Sequence, residues 1–302
     1  MQQRDEALER FAAAVGAVAA GDGVFEAPVR GAVCVRHSSV SALQNRHWRA
    51  SLAIVARGSK QLVVGRSSHR FDPWHYTLTP FPLPLTGRIV SAPFLCLLID
   101  FDALALTRLV ADMDGRQEAP EGLRHAFFVG EVSGRMRDAA LRLAELFESR
   151  EASHVLGPGC VRELLFHVLQ GPNGPAIRQF MRAGSEAHRI YRAVHRIETE
   201  LSDELDIALL AADAGMSRTV FFEQFKRVTA LSPVQFQKRL RLLEAQRLLV
   251  EERASAEHAA SRVGYRSPHQ FSREYTRMFG EPPLRNATRL RRSPGLLVSS
   301  AE

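Results

Sequence analysis

One segment of the chain occurs twice in similar form, and this repeat constrains the fold more than any other feature. Residues 213–233 read DAGMSRTVFFEQFKRVTALSP, and residues 262–283 read RVGYRSPHQFSREYTRMFGEPP. Gly215 aligns with Gly264 when one inserted residue is allowed at Arg266. The further pairs that then match are Ser217 with Ser267, Phe221 with Phe271, Phe225 with Tyr275, Arg227 with Arg277 and Pro233 with Pro283. Such a repeat indicates one supersecondary unit used twice.

Each copy carries the local signals of a helix-turn-helix. In the first copy a short alanine-rich helix runs into Gly215, a residue type that tolerates left-handed dihedrals. Ser217 can then cap the next helix by accepting a hydrogen bond from one of its free N–H groups. Gly264 and Ser267 stand in the same places in the second copy. The two predicted helix-turn-helix units span residues 206–228 and 254–279.

The second helix of each unit has an inner and an outer face. The residues at core spacing are Val220, Phe221, Phe225 and Val228 in the first unit, and Phe271, Tyr275 and Met278 in the second. The opposite face of each helix has a size that the major groove of DNA admits. We therefore predict that both units bind double-stranded DNA.

Seven side chains on these outer faces are predicted to contact base edges. They are Arg218, Thr219, Phe222, Glu223, His269, Ser272 and Arg273. Arg273 is the strongest candidate because a guanidinium group matches the O6 and N7 acceptors of guanine. The alternative role for Arg273 is a surface ion pair, and the alternative for Phe222 is a place in the core.

Six further basic side chains are predicted to contact phosphates, which adds affinity without sequence information. They are Lys226, Arg227, Lys238, Arg239, Arg266 and Arg277. For each of them a solvated surface charge is the alternative. Residues 217–292 hold 16 Lys and Arg against 7 Asp and Glu, a balance of +9, whereas the whole chain carries +7, so the remainder carries 7 − 9 = −2. The positive charge therefore lies over the repeat, as expected of a nucleic-acid-binding face.

A long helix is predicted between the two units, at residues 232–250. It begins with Ser-Pro and keeps Phe236, Leu240, Leu243 and Leu248 near one face. At about 1.5 Å per residue this connector is roughly 28 Å long, comparable with the ~34 Å turn of B-DNA once the widths of the units are added.

These residues resemble the AraC/XylS family of bacterial transcription regulators. The resemblance covers residues 187–292 and is carried by AGMSRTVFFEQFKRVTALSPVQFQKRLRLLEAQRLL and AASRVGYRSPHQFSREYTRMFGEPP. It implies that a stiff helix joins the units, which insert their second helices into successive major grooves on one side of the DNA. The first motif departs from the family pattern at Ala230, where glycine is commoner, and at Phe222 and Glu223, where polar or basic residues are more typical.

The resemblance extends more weakly into the N-terminal part of the chain. The runs LAIVARGSKQLVVG and YTLTPFPLPLTGRI are similar to the effector domain of one AraC subfamily. This similarity implies a small-molecule effector, and RNA polymerase as a partner if the protein is an activator.

The N-terminal part reads as β structure followed by helices. Residues 30–100 consist of short β-rich runs between Gly, Pro, Ser and Asp, which predicts an antiparallel, cupin-like sandwich or barrel. Helices follow over residues 102–170, with caps at Asp102 and Ser133. Helices 133–149 and 158–170 are predicted to form an antiparallel hairpin, which either packs on its own sheet or serves as the interface of a homodimer. The breaker-rich GPNGP then ends this part.

The predicted fold class is therefore α+β, with two domains. An N-terminal effector domain is predicted at residues 1–175. An all-α DNA-binding domain, with two helix-turn-helix units joined by a long helix, is predicted at 185–292. A basic stretch, LRNATRLRR, closes that domain, and residues 293–302 are predicted to be a tail.

The aromatic residues Trp48, Trp74 and Tyr76 are candidates for lining an apolar effector pocket, although aromatic residues in a β domain are more often core. The histidines nearby are scattered and form no HxH pair, so we expect no metal site and no cofactor. The alternative function is a cupin-like metal enzyme fused to a DNA-targeting module. No nucleophile–base pair, phosphate-binding loop or carboxylate cluster supports it, so no catalytic residue is predicted.

The three cysteines, Cys34, Cys96 and Cys160, are widely spaced and form no CxxC pair, which argues against disulfides and a zinc cluster. Cys34 and Cys96 lie in apolar runs, which favours buried structural thiols over a thiol sensor. The N-terminus carries Asp and Glu before its alanine-rich run, unlike a signal peptide, and no apolar stretch reaches about 18 residues. We therefore expect a cytoplasmic protein that does not bind a membrane.

Overall fold

Two long strands organise the N-terminal half of the protein. In the computed structural model, which describes residues 2–65, 67–113 and 125–292, strand β4 (Ser51–Val64) lies antiparallel to strand β7 (Leu83–Asp100). Their register runs from Ser51 opposite Asp100 to Val63 opposite Thr86, with irregularities after Val55. Every other strand is added to one of these two or to a neighbour.

All the strand pairs are antiparallel, as the sequence predicts for this region. The shorter strands are β1 (Gly23–Glu26), β2 (Ala32–His37), β3 (Gln44–Trp48), β5 (Ser67–Phe71), β6 (His75–Thr79) and β8 (Phe128–Glu131). The strand order is β1-β2-β7-β4-β6-β8, with β3 added to β7 and β5 added to β4. Pro84, the second residue of β7, lies opposite β3 in this sheet.

The helix α1 (Gln2–Val18), which the sequence analysis did not predict, covers the sheet. Its Phe11 is fully buried and stacks on Trp74 with 5.1 Å between ring centroids. Helix α2 (Ala103–Asp112) starts where predicted, because the carboxylate of Asp102 accepts a hydrogen bond from the backbone N–H of Leu104. Helix α1 therefore packs on the sheet, whereas α2 packs against the later helices of the N-terminal part.

The predicted helical hairpin is present, but its second helix starts earlier than predicted. Helix α3 (Gly134–Glu145) and a short 3₁₀ turn lead into α4 (Arg150–Gln170), which is capped by Ser149 and runs through Pro158. The prediction of a start at Pro158 was wrong. A proline costs one helical hydrogen bond, and the cap together with packing along the whole hairpin outweighs that loss.

Two further helices lie where the sequence analysis predicted breakers or a basic tail. Helix α5 (Gly174–Met181) begins inside GPNGP, and its Phe180 packs edge-on against Phe81. Helix α12 (Pro283–Arg292) contains all of LRNATRLRR and buries Asn286 and Leu290. The predicted tail, 293–302, lies outside the described residues.

The C-terminal helices follow the predicted order. They are α6 (Glu186–Thr199), α7 (Ile207–Asp213), α8 (Arg218–Thr229), α9 (Pro233–Val250), α10 (Ala256–Arg262) and α11 (Pro268–Phe279). Helices α7 and α8 form the first unit, α10 and α11 form the second, and α9 is the connector. In the described parts of the chain no helix is both long and apolar enough to cross a lipid bilayer.

Buried apolar residues form two separate cores. The larger core runs from the sheet through α1–α6 into the first unit and ends on α9 at Phe236 and Leu240. The smaller core begins on α9 at Leu242 and holds the second unit and α12. The first unit therefore shares a core with the N-terminal part, whereas the second unit has its own. The bounds 1–175 and 185–292 stay a prediction.

Candidate nucleic-acid interface

The first unit is held by a tight turn and an aromatic inner face. Gly215 adopts a φ of 62° in the turn, and the hydroxyl of Ser217 accepts from the N–H of Val220 at 3.3 Å. Phe221 and Phe225 are fully buried. These contacts fix which face of α8 points outward.

The second unit repeats this arrangement. Gly264 has a φ of 83°, and the hydroxyl of Ser267 accepts from the N–H of Gln270 at 3.3 Å. Phe271 and Tyr275 are buried, and the Tyr275 hydroxyl donates to Asn286 of α12 at 2.9 Å. Burial raises the pKa of Tyr275, so its hydroxyl stays protonated and remains a donor.

The two recognition helices end alike, but with different residues. Helix α11 ends at Gly280, which has a φ of 78°, and α8 ends at Ala230, which has a φ of 64°. Both residues are in the left-handed region, where a Cβ atom costs roughly 1–2 kcal/mol. This geometry accounts for the glycine that is commoner at the position of Ala230.

Most of the predicted base-reading residues lie on exposed surfaces of α8 and α11. Exposed are Arg218, Thr219, Phe222, Glu223, His269 and Arg273, whereas Ser272 is half-buried. The Phe222 side chain is 37% exposed and does not belong to the core. Val220, predicted to be in the core, is 40% exposed, because it lies one residue before the four-residue step from Phe221 to Phe225 that defines the inner face.

The predicted phosphate contacts fall into two groups. Among the described residues, Lys226, Arg227 and Arg277 have no ion-pair or hydrogen-bond partner for their side chains, and the same holds for Arg218 and Arg273. These five cations are exposed and available to a polyanion.

The other three predicted phosphate contacts are either ion-paired or half-buried. Lys238 pairs with Glu274 at 2.9 Å. Arg266 pairs with Glu204 at 3.2 Å, but both side chains are about nine-tenths exposed, and such pairs contribute little. Arg239 is half-buried, and burial lowers its pKa. Of these three side chains, Arg266 would most easily leave its partner to contact a phosphate.

One exposed residue with suitable chemistry was missed by the sequence analysis. Gln270 lies in the first turn of α11 and is exposed, and its amide makes only a long 3.4 Å contact with Glu274. The capping residue Ser267 could have indicated it, because capping places residues 268–270 in the turn that corresponds to Arg218 and Thr219 of the first unit. A glutamine amide matches the N6 and N7 edge of adenine.

The three aromatic residues predicted to line an effector pocket contact different neighbours. Trp74 is buried against Phe11, and the Tyr76 hydroxyl accepts from Asn173 at 3.2 Å. The ring of Trp48 lies 4.3 Å from the ammonium of Lys60. A groove of about 340 Å³ lies elsewhere, between α2 and α4, and none of the three lines it.

The three cysteines are all buried or half-buried. Cys34 and Cys96 are buried, and burial raises the pKa of each thiol to about 12. Cys160 is half-buried, and its pKa is raised by burial as well. Within residues 2–65, 67–113 and 125–292 no cluster of three His, Cys, Asp or Glu side chains is suited to hold a metal.

Two family descriptions match the chain. The description "AraC-type transcriptional regulator N-terminus" matches residues 28–176, and "Helix-turn-helix domain" matches residues 210–289. Together they cover the sheet except β1, the helices α2–α4, and both helix-turn-helix units except the start of α7.

Relatives and solved structures agree with these matches. The regulator ExsA of Pseudomonas aeruginosa is 29% identical over 126 residues, which is 42% of this chain and 45% of ExsA. The activator RhaS of Escherichia coli is 27% identical over 143 residues, 47% of this chain and 51% of RhaS. The chain thus spans about half the length of these curated relatives. The crystal structure of ToxT from Vibrio cholerae shares the fold, with a TM-score of 0.59 at 10% identity over 85% of this chain and 97% of ToxT.

Proposed function

Because the chain belongs to the AraC-type family of transcriptional regulators, we propose that it binds specific DNA sequences through α8 and α11 and thereby regulates transcription. The observation that carries this proposal is the pair of outward helix faces, which together present five unpaired cations in a segment with a charge of +9. Exposed polar side chains between these cations supply groups that discriminate between bases. The proposed site of action is the cytoplasm.

The test is selection from a pool of random duplexes with the full-length protein, followed by affinity measurements on the enriched duplex and on a scrambled copy. We expect the enriched duplex to bind at least about a thousandfold more tightly, the lower end for specific regulators. Both affinities should fall steeply with salt because the cations displace counterions from the phosphates. Failure to enrich any sequence would contradict the proposal.

We further propose that the N-terminal part senses a small molecule and influences both recognition helices. Solved structures of ToxT include one bound to an unsaturated fatty acid and one bound to a naphthalenyl butenoic acid. In this protein the backbone N–H of Ala126 donates to the carbonyl of Val228 in α8 at 3.0 Å, and the Asn45 amide donates to the carbonyl of Met278 in α11 at 3.0 Å. A ligand that shifts the sheet, or the segment just before β8 that holds Ala126, would act on the ends of both helices. If the regulator is an activator, RNA polymerase is the second partner.

A homodimer through the α3–α4 hairpin is the oligomeric state we propose. The inner stripe of α4, with Leu164, Leu165 and Val168, is buried within the chain. Its outer surface exposes Val155 by 66% and Leu156 by 55%, and a second copy would cover them. Sedimentation of the protein and of Leu156→Glu tests this, and a wild-type monomer at all concentrations would exclude it.

The alternative of a cupin-like metal enzyme fused to a DNA-targeting module is not favoured. The family that matches residues 28–176 is described as one of AraC-type transcriptional regulators, and the relatives ExsA and RhaS are named as a regulator and an activator. Metal analysis of the purified protein distinguishes the two functions, since a metal enzyme would contain stoichiometric iron, manganese or zinc.

A further inference from the structure

The two helix-turn-helix units are joined by a junction that is mainly polar. Their buried apolar residues belong to different cores, which meet on α9 between Leu240 and Leu242. A hydrophobic core shared by both units would fix their relative orientation through close packing. Here the orientation depends instead on the connector helix, on the polar contacts beside it and on the hydrogen bonds that each unit makes with the N-terminal part.

Arg241, at the boundary between the two cores, connects the loop that leads into the first unit with the tight turn of the second unit. Its Nε donates to the carbonyl of Leu201 at 2.8 Å, and its Nη2 donates to the carbonyl of Asp203 at 2.7 Å. Both carbonyls belong to the loop that leads from α6 into the first unit. Its Nη1 donates to the carbonyl of Gly264 at 3.2 Å, in the tight turn of the second unit.

The backbones of the two units also approach each other closely at this junction. A Cβ atom added to Gly264 would lie 2.1 Å from the carbonyl oxygen of Ser202, so only glycine fits. Gln237, one turn before Arg241 on α9, is buried and donates to the carbonyl of Asp203 at 2.9 Å. The loop that leads into the first unit therefore lies between α9 and the turn of the second unit.

On the premise that both units read DNA as proposed above, we infer that Arg241 is a positioning residue that sets the separation of the two recognition helices and hence the spacing of the two half-sites. A guanidinium group presents five N–H donors in one rigid plane. It can therefore hold three carbonyls in fixed directions, whereas a lysine ammonium on a flexible stem cannot fix their geometry. Among the described bonds, no side chain of α8 or α11 contacts both this loop and the turn at Gly264.

The spacing of half-sites on DNA is sensitive to such a junction. One additional base pair moves a half-site by about 3.4 Å along the helix axis and rotates it by roughly 35°. A rigid pair of units cannot follow this displacement without losing the contacts of one unit. A pair of units with a loosened junction can follow the displaced half-site, but it binds the best-spaced site with lower affinity.

The experiment compares full-length Arg241→Met and Arg241→Lys with the wild type. Arg247→Met is the matched control, because Arg247 lies on the same helix and also bonds three residues, namely Glu244, Glu251 and Glu252, which all lie on or just after α9. Each variant is measured on duplexes in which the half-sites of the selected sequence are one base pair closer, unchanged or one base pair further apart.

The rigidity of the junction is measured without DNA, from the distribution of distances between two nitroxide labels in electron paramagnetic resonance. The labels are placed on Ala212→Cys of α7 and Glu257→Cys of α10, both exposed positions, with Cys160→Ser in the background. Cys34 and Cys96 are buried and should stay unlabelled.

We expect the wild type and Arg247→Met to give a narrow distance distribution and to lose about tenfold or more in affinity when the spacing changes by one base pair. Arg241→Met should broaden the distribution and lose less than about threefold on the altered spacings, with Arg241→Lys in between. An unchanged distribution and spacing profile in Arg241→Met would overturn the inference. If the wild type selects no sequence, the proposed function fails, and the label distances alone decide whether Arg241 holds the junction.

Discussion

The amide of Asn45 in strand β3 donates a hydrogen bond to the backbone carbonyl of Met278 in the last turn of α11, 3.0 Å away and 233 residues further along the chain. Asn45 is itself oriented by Thr86, whose hydroxyl donates to the Asn45 carbonyl oxygen at 2.6 Å. The sheet thus contacts the second recognition helix directly, although the two belong to different cores.

Replacing Asn45 should loosen this contact. We expect Asn45→Ala to lower the free energy of unfolding by about 1 kcal/mol, the usual net contribution of one hydrogen bond, and to speed hydrogen exchange in β3 and the last turn of α11. Asn45→Asp should be worse, because it places a carboxylate against the Met278 carbonyl. Hydrogen-exchange mass spectrometry checks this, and faster exchange confined to β3 would show that the contact does not hold α11.

The left-handed ends of the recognition helices predict opposite effects for two reciprocal substitutions. Ala230→Gly should raise the free energy of unfolding by about 1 kcal/mol because it relieves the cost of a Cβ atom at a φ of 64°. Gly280→Ala should lower it by a similar amount, since its Cβ would meet no atom within 4 Å and only the backbone cost remains. Urea unfolding measures both. A loss of stability in Ala230→Gly would mean that the packing of its methyl group against Gly65 outweighs the backbone cost.

The raised pKa of Glu198 in α6 predicts that the stability of the protein depends on pH. Burial raises its pKa from 4.5 to about 7, and the nearby Arg49 only partly opposes this. The folded protein therefore binds more protons than the unfolded chain between these values, so its stability should fall as the pH rises from 5 to 8. Asp100, 3.9 Å from Arg49, has a pKa that burial also raises, and its effect has the same sign.

The substitution Glu198→Gln should remove much of this slope and stabilise the protein at pH 8 relative to the wild type. Glu163→Gln is the control, because a hydrogen bond from Arg142 lowers the pKa of Glu163 and its contribution is complete above pH 5. Denaturant unfolding at four pH values between 5 and 8 measures the slopes. Equal slopes for the wild type and Glu198→Gln would show that Glu198 is already ionised across this range.

The parts of the fold that were predictable are those with short-range signals. Ser217 and Ser267 cap their helices as predicted, and the two glycine turns lie where the repeat places them, because caps and tight turns depend on a few neighbouring residues. The short β-rich runs between Gly, Pro, Ser and Asp likewise predicted an antiparallel sheet.

The missed elements are stabilised by distant contacts. Helix α5 starts inside a run of Gly and Pro because Asn173 is held by Tyr76 and by the carbonyl of Val129. Helix α12 is rich in charge, and only its contacts with α9 and Tyr275 reveal an inner face. Likewise, the engagement of Lys238 with Glu274 is invisible in the sequence, since the partners lie 36 residues apart.

The last prediction concerns Arg273, which is exposed on α11 and has no partner among the described residues. Glu274, the acidic residue next to it in the sequence, is engaged by Lys238 and by the Tyr265 hydroxyl. Arg273 is thus free to enter the groove, and Arg273→Ala should cost about 1–3 kcal/mol on the selected sequence while leaving affinity for scrambled DNA nearly unchanged.

Arg277→Ala supplies the contrast. Arg277 is equally exposed and unpaired one turn further along α11, and as a phosphate contact it should weaken binding to both duplexes and lower the salt slope by about one. Both variants are measured on the selected and the scrambled duplex at two salt concentrations. Equal losses for Arg273→Ala on the two duplexes would assign it to the backbone, and base reading by the second unit would then rest on His269, Gln270 and Ser272.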